Sequence, residues 1–157
     1  MNLTVHPQPG TEPIRFGEIG SSLGFLLRLA QVRTFDAFFD QLSAHGLKPG
    51  EFTMLWVIGL NPDVRQGAIA RKLRIKPAHM TKLVQRAVDA GLVERRVPDS
   101  DRRSVRLRLT RGGERFVAEN RPDFLDFLKK ERANLSDAEF GTLISLLQKL
   151  NGMESAR

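Results

Sequence analysis

The chain has 157 residues, 25 of them Lys or Arg against 18 Asp or Glu, so its formal net charge is +7. Hydrophobic residues make up 41%, which suits one globular domain with its own core rather than a disordered or membrane-spanning chain. There is no cysteine, which excludes disulfides, thiol redox sensing, cysteine nucleophiles and cysteine-ligated zinc.

Met1 to Pro13 is polar and holds three prolines. It lacks the apolar segment of a signal peptide, so a loose arm on a cytosolic protein is expected. No apolar run approaches the roughly 18 residues of a bilayer span, and no membrane partner is expected. From Glu18 to Ala44 the pattern is helical. Ile19, Leu23, Leu26 and Ala30 form one stripe, continued by Phe35, Phe38 and Leu42. Phe25, Leu27 and Phe39 lie off that stripe, giving an apolar surface wide enough to be covered on two sides. Gly46 ends this helix, and Pro49 opens a short apolar one over Glu51 to Leu60. Gln66 to Leu73 reads as the next helix, broken at Ile75-Lys76-Pro77. Pro77 to Ala90 is the third, with Met80, Leu83, Val84 and Ala87 at helical spacing and Gly91 as its cap.

The period then changes from 3.6 to 2. Leu92 to Val97 and Ser104 to Leu109 read as two strands, with Val105, Leu107 and Leu109 on one face and Arg106 and Arg108 on the other. Pro98 to Arg103 is the polar loop between them. Thr110 is placed to cap a helix through Phe116, which Pro122 should kink or split. Ser136 and Glu139 form a capping box for a last helix carrying Phe140, Leu143, Ile144, Leu147 and Leu150.

Charge is concentrated in the middle of the chain. Pro62 to Arg115 holds 15 basic and 6 acidic residues, whereas the flanking segments are each net −1. Such a block fits a module that binds a polyanion and releases its counterions; the alternative is a solvated surface. The expected fold is mainly α with a small β-hairpin. Three short helices followed by a hairpin are the plan of a winged helix-turn-helix, in which a helix enters the major groove and a basic hairpin reaches phosphates or the minor groove.

The same residues resemble the MarR family of bacterial transcriptional regulators. The likeness runs through Pro49-Gly50-Glu51-Phe52, Gln66-Gly67-Ala68-Ile69-Ala70, Pro77 to Val84, Gly91-Leu92-Val93-Glu94-Arg95, Asp101-Arg102-Arg103-Ser104 and Leu109-Thr110-Arg111-Gly112-Gly113. Asp101, Arg103, Leu109 and Thr110 match the family's wing signature, and the likeness covers roughly residues 18–152. It implies a single domain over 1–157, with dimerisation helices at 18–45 and 116–152 and a winged-helix DNA-binding region at 49–115. It also implies a homodimer on a pseudo-palindromic double-stranded operator, usually a repressor, released by a small aromatic or phenolic carboxylate. No cofactor is implied.

Carried over residue by residue, the resemblance makes Lys76, Pro77, Ala78, His79, Thr81, Lys82 and Arg86 the recognition region. His79 and Lys82 are the candidates for base edges or phosphates; the alternative is a plain exposed helix face. Lys76 stands where a small capping residue is usual. Arg103 is the candidate for minor-groove insertion, Arg102 for the backbone, and Asp101 for holding the loop by a charge-assisted hydrogen bond. Arg95, Arg96, Arg106 and Arg108 read equally as phosphate contacts or solvated strand residues. An effector pocket lined by Phe25, Arg28, Phe52 and Trp56 is one reading, with Arg28 pairing a carboxylate; core packing or an inter-subunit ion pair is the other. No Gly-rich phosphate loop, nucleophile triad or His-x-x-x-His pair is present, so neither an enzyme nor a metal site is expected. A non-specific winged-helix binder or a protein-interaction module is the competing function.

Overall fold

The computed structural model describes residues 14–42, 46, 48–98 and 104–153. A 3-10 turn (Gly17–Ser21) leads into α1 (Leu23–Leu42), followed by α2 (Pro49–Leu60), β1 (Val64–Arg65), α3 (Gln66–Lys72) and α4 (Pro77–Asp89). Then come β2 (Val93–Arg96), β3 (Arg106–Leu109), α5 (Arg111–Lys130) and α6 (Asp137–Leu150). The three strands form one antiparallel sheet in the order β1-β3-β2. The fold is a winged helix-turn-helix, mainly α with a small sheet.

The winged core is built on apolar residues from every element around it. Met54, Leu55 and Ile58 of α2, Ile69 and Ala70 of α3, Met80, Leu83, Val84 and Ala87 of α4, Val93 of β2 and Leu107 and Leu109 of β3 are all buried together. The four α4 residues are those expected from their spacing. α4 ends in a Schellman motif: Gly91 sits at φ +70°, its N–H donates to the Val88 carbonyl, and the Leu92 N–H donates to Ala87. That turn sends the chain directly into β2.

A second, aromatic cluster ties α1 to this core. Phe38 and Leu42 of α1 are buried with Phe52 of α2 and Phe127 of α5, and Trp56 and Phe124 pack on them. The Phe52 and Phe124 ring centroids are 4.7 Å apart, and Phe38 meets Phe127 edge-on at 5.6 Å, both favourable aromatic geometries.

Several expectations change. The first helical region is a 3-10 turn followed by α1, not one helix from Glu18. Only Phe38 and Leu42 of the expected α1 stripe are buried; Ile19, Leu23, Leu26 and Phe35 are exposed. Strand β1, too short to show an alternation, was not expected. Pro122 lies inside one continuous α5; it costs the single bond its N–H would make to the Ala118 carbonyl, on a side open to water. The two caps are as expected. The Thr110 hydroxyl accepts from the Gly113 N–H, and Ser136 and Glu139 cap α6 reciprocally. Hydrogen bonds from Ser136 hold the Glu139 carboxyl below the usual carboxylate range.

Gly113 is fixed by close approach rather than by dihedral angle. A Cβ there would lie 2.0 Å from the Leu92 carbonyl oxygen, whereas at Gly112 the nearest atoms are 3.4 Å away. Gly113→Ala is therefore expected to destabilise by about 2–3 kcal/mol and Gly112→Ala by less than about 1 kcal/mol, as read by thermal unfolding of the two variants side by side.

Candidate nucleic-acid interface

Burial of one face of α4 leaves the opposite face to solvent. Pro77, Ala78, His79, Thr81, Lys82 and Arg86 are all exposed, as is Lys76 before them. His79, Lys82, Gln85 and Arg86 line one shallow groove. The Lys76 side chain makes no capping bond, so the α4 N-terminus keeps unpaired N–H groups beside a free cation, a combination that favours anions.

The side chains of this face are not equally available. Among the described residues, Lys76, His79 and Lys82 form no ion pair and no side-chain hydrogen bond. Thr81 donates its hydroxyl to the Pro77 carbonyl at 3.0 Å and accepts from Gln66 Nε2 at 3.3 Å, so it braces α4 against α3. Arg86 forms a 2.6 Å ion pair with Glu51, whose carboxylate is only 12% exposed and also accepts from the Lys48 N–H. Arg86 is thus held by α2, a pairing across 35 positions that no local pattern announces.

The strand arginines, read as phosphate contacts or solvated residues, all have partners inside the chain. Arg95 donates to Gln85 Oε1 at 2.8 Å and, more weakly, to the Thr81 carbonyl. Arg108 pairs with Glu94 across the hairpin. Arg96 and Arg106 both bind Asp63. Asp101, Arg102 and Arg103 lie outside the described residues.

The four residues read as an effector pocket do not line one cavity here. Phe25 packs on Phe16, with centroids 5.2 Å apart, and Arg28 is exposed. Phe52 is core, in ring contact with Trp56 and Phe124. Trp56 instead borders a cavity of about 470 Å³ that Leu60, Leu109 and Val117 also line, with Arg108, Glu114 and Arg121 as its charged members. The Arg121 guanidinium lies over the Trp56 ring, 6.0 Å from its centroid, in cation–π range. Arg121 is on α5, beyond the last of the motifs, and nothing in its local sequence marks it.

Residues 45–104 match the MarR family model. Over 140 residues the chain is 34% identical to a protein of Thauera aromatica named for the transcriptional regulation of the hcr operon, covering 88% of this chain and 84% of that one. The chain belongs to the MarR family.

This MarR-family chain is a DNA-binding transcriptional regulator, not an enzyme. It superposes on the transcriptional repressor CouR bound to a 23-mer DNA duplex with a TM-score of 0.80 at 28% identity, over 87% of this chain and 97% of CouR. A cysteine-to-serine mutant of MarR from E. coli, complexed with operator DNA, shares the fold at a TM-score of 0.76 and 24% identity, over 85% and 96% of the two chains. No helix among the described residues is long and apolar enough to cross a membrane.

Trp56 is the only tryptophan, so its emission reports on the cavity. Arg121→Ala, by uncovering one ring face to water, is expected to shift that emission to the red with little loss of stability (about 1 kcal/mol or less). An unchanged spectrum would remove Arg121 from the ring.

Proposed function

We propose that this regulator is a cytoplasmic homodimeric repressor. It docks α4 in the major groove of each half of a pseudo-palindromic operator, and a small aromatic or phenolic carboxylate releases it. The observation that carries the docking is the exposed, unpaired basic end of α4 at Lys76, His79 and Lys82, opposite a fully buried face. Side chains at the N-terminal end of such a helix reach base edges, and Pro77, Ala78, Thr81 and Arg86 form their surroundings. In this reading Arg103 enters the minor groove, Arg102 holds the backbone and Asp101 holds the loop.

The dimer is supported by uncovered apolar surface. No residue of α6 is buried, yet Leu143, Ile144, Leu146 and Leu150 are 38–59% exposed. Leu23, Leu26, Leu27, Leu29, Val32, Phe35 and Phe39 are likewise exposed along α1. Exposed apolar side chains in such numbers mark an interaction surface, and a second copy would present the same helices to it. Residues 18–45 and 116–152 are thus the proposed dimerisation regions around the 49–115 module. The effector site of this reading is the cavity beside Trp56, where Arg121 supplies a cation for a carboxylate and the indole stacks on an aromatic ring. Phe25 and Arg28 join it only if the partner subunit brings them there.

Lys82→Ala and Arg103→Ala are each expected to weaken binding to a duplex selected by the wild-type protein from a random pool. Each should cost about 1–3 kcal/mol, with the dimer intact by sedimentation. Wild-type affinity in both variants would reject the docking. Equal affinity of the native protein for selected and unrelated duplexes would favour the non-specific binder. Leu143→Glu is expected to convert the dimer to monomer by placing a charge in the apolar contact; an unchanged sedimentation coefficient would reject α6 as part of it.

A further inference from the structure

The turn between α2 and β1 holds a charge cluster that no sequence motif marks. Asp63 sits there in the left-handed region, φ +62°, a conformation that Asp and Asn tolerate better than other side chains with a Cβ. It faces two arginines at once. Arg96 Nη2 of β2 donates to Asp63 Oδ1 at 3.1 Å and Oδ2 at 3.0 Å. Arg106 Nη1 of β3 donates to the Asp63 carbonyl at 2.9 Å and to Oδ2 at 3.3 Å. Arg96 and Arg106 are direct cross-strand partners in the hairpin register. Like charges in that relation repel, and a single carboxylate on the neighbouring turn offsets the repulsion.

The side chains of Asp63, Arg96 and Arg106 are 39%, 68% and 30% exposed. Ion pairs that open to water contribute little to stability. What the cluster fixes is where two guanidinium groups point and whether they are available to phosphates. It also pins both hairpin strands to the turn that leads into β1 and α3, and so sets the stance of the wing relative to the helices.

We propose that Asp63 is a positioning and specificity-determining residue for DNA binding: it anchors the wing and withholds Arg96 and Arg106 from the phosphate backbone. Phosphate contacts add affinity for any sequence, whereas base contacts discriminate. An anchored, half-neutralised wing therefore limits non-specific binding while keeping the operator-reading geometry. The assignment needs only DNA binding, which membership of the family establishes, and not the dimer or the effector.

The test uses Asp63→Asn, which keeps an acceptor oxygen and the left-handed backbone but removes the charge. Binding is measured by fluorescence anisotropy on a duplex selected by the wild-type protein and on an unrelated duplex, across a salt series. Release of two arginines to phosphate would steepen the slope of log K against log salt by up to about 1.8, which is about 12-fold in affinity between about 50 and 200 mM salt. The selected-to-unrelated ratio should fall, and adding Arg96→Gln and Arg106→Gln to Asp63→Asn should restore the wild-type slope. A purely structural role would lower both affinities and the melting temperature without changing the slope, and that result overturns the proposal. If Asp63→Asn fails to fold, Arg96→Gln/Arg106→Gln in the otherwise native chain decides. An unchanged slope on unrelated DNA supports the proposal, and a slope flattened by about 2 shows arginines already on phosphate and overturns it.

Discussion

The burial of one face of α4 is the constraint on which the interface depends. Met80 and Val84 are completely buried and Leu83 nearly so. Burying such side chains is worth roughly 1.5–3 kcal/mol each, far more than any surface contact of the opposite face. The helix therefore cannot rotate about its axis without exposing that stripe, and the rotation fixed by the core decides that Ala78, His79 and Lys82 face out. The Schellman turn at Gly91 then fixes where β2 leaves the helix. The close approach of Gly113 to the Leu92 carbonyl fixes where α5 starts against it. The geometry of this outward face is thus set by apolar packing behind it, while Thr81, Gln85 and Arg86 on it are held by neighbours inside the chain.

The charge of the interface is more sharply divided than its composition. Fifteen basic residues lie between Pro62 and Arg115, but five of them, Arg86 and the hairpin-strand arginines Arg95, Arg96, Arg106 and Arg108, are held by Glu51, Gln85, Asp63 and Glu94. Free positive charge on the α4 face is left at its N-terminal end. Internal pairing in this way takes the hairpin-strand arginines and Arg86 out of the freely available positive charge of the module.

The sequence was most legible where one physical period dominated. The α4 stripe, the alternation of β3 and the caps at Thr110 and Ser136 each follow from a few neighbouring residues, and the structure has all of them. Two-residue β1 has no period to read; it is a strand only because β3 lies beside it. The α1 stripe is apolar as expected, but most of it is exposed in the isolated chain, and no local pattern says which surface covers it. Pairings such as Arg86 with Glu51, Arg106 with Asp63 and Arg121 with Trp56 bring together residues 35, 43 and 65 positions apart. They are products of the tertiary fold, and no local spacing encodes them. The four residues of the effector reading do not line one cavity within this chain: Phe52 and Trp56 share a helix, but Phe25 and Arg28 lie on an element whose apolar face the protomer leaves largely uncovered.

The absence of cysteine allows the central claim, that two copies of α4 lie in successive major grooves, to be measured directly. A single Ala78→Cys at the exposed start of α4 is labelled uniquely, and an iron chelate attached there cuts DNA within reach of its hydroxyl radicals. On a duplex selected by the native protein, two cleavage centres are expected, both in the major groove and about one helical turn apart. Cleavage spread along the duplex without fixed centres, or centred in the minor groove, would contradict the account.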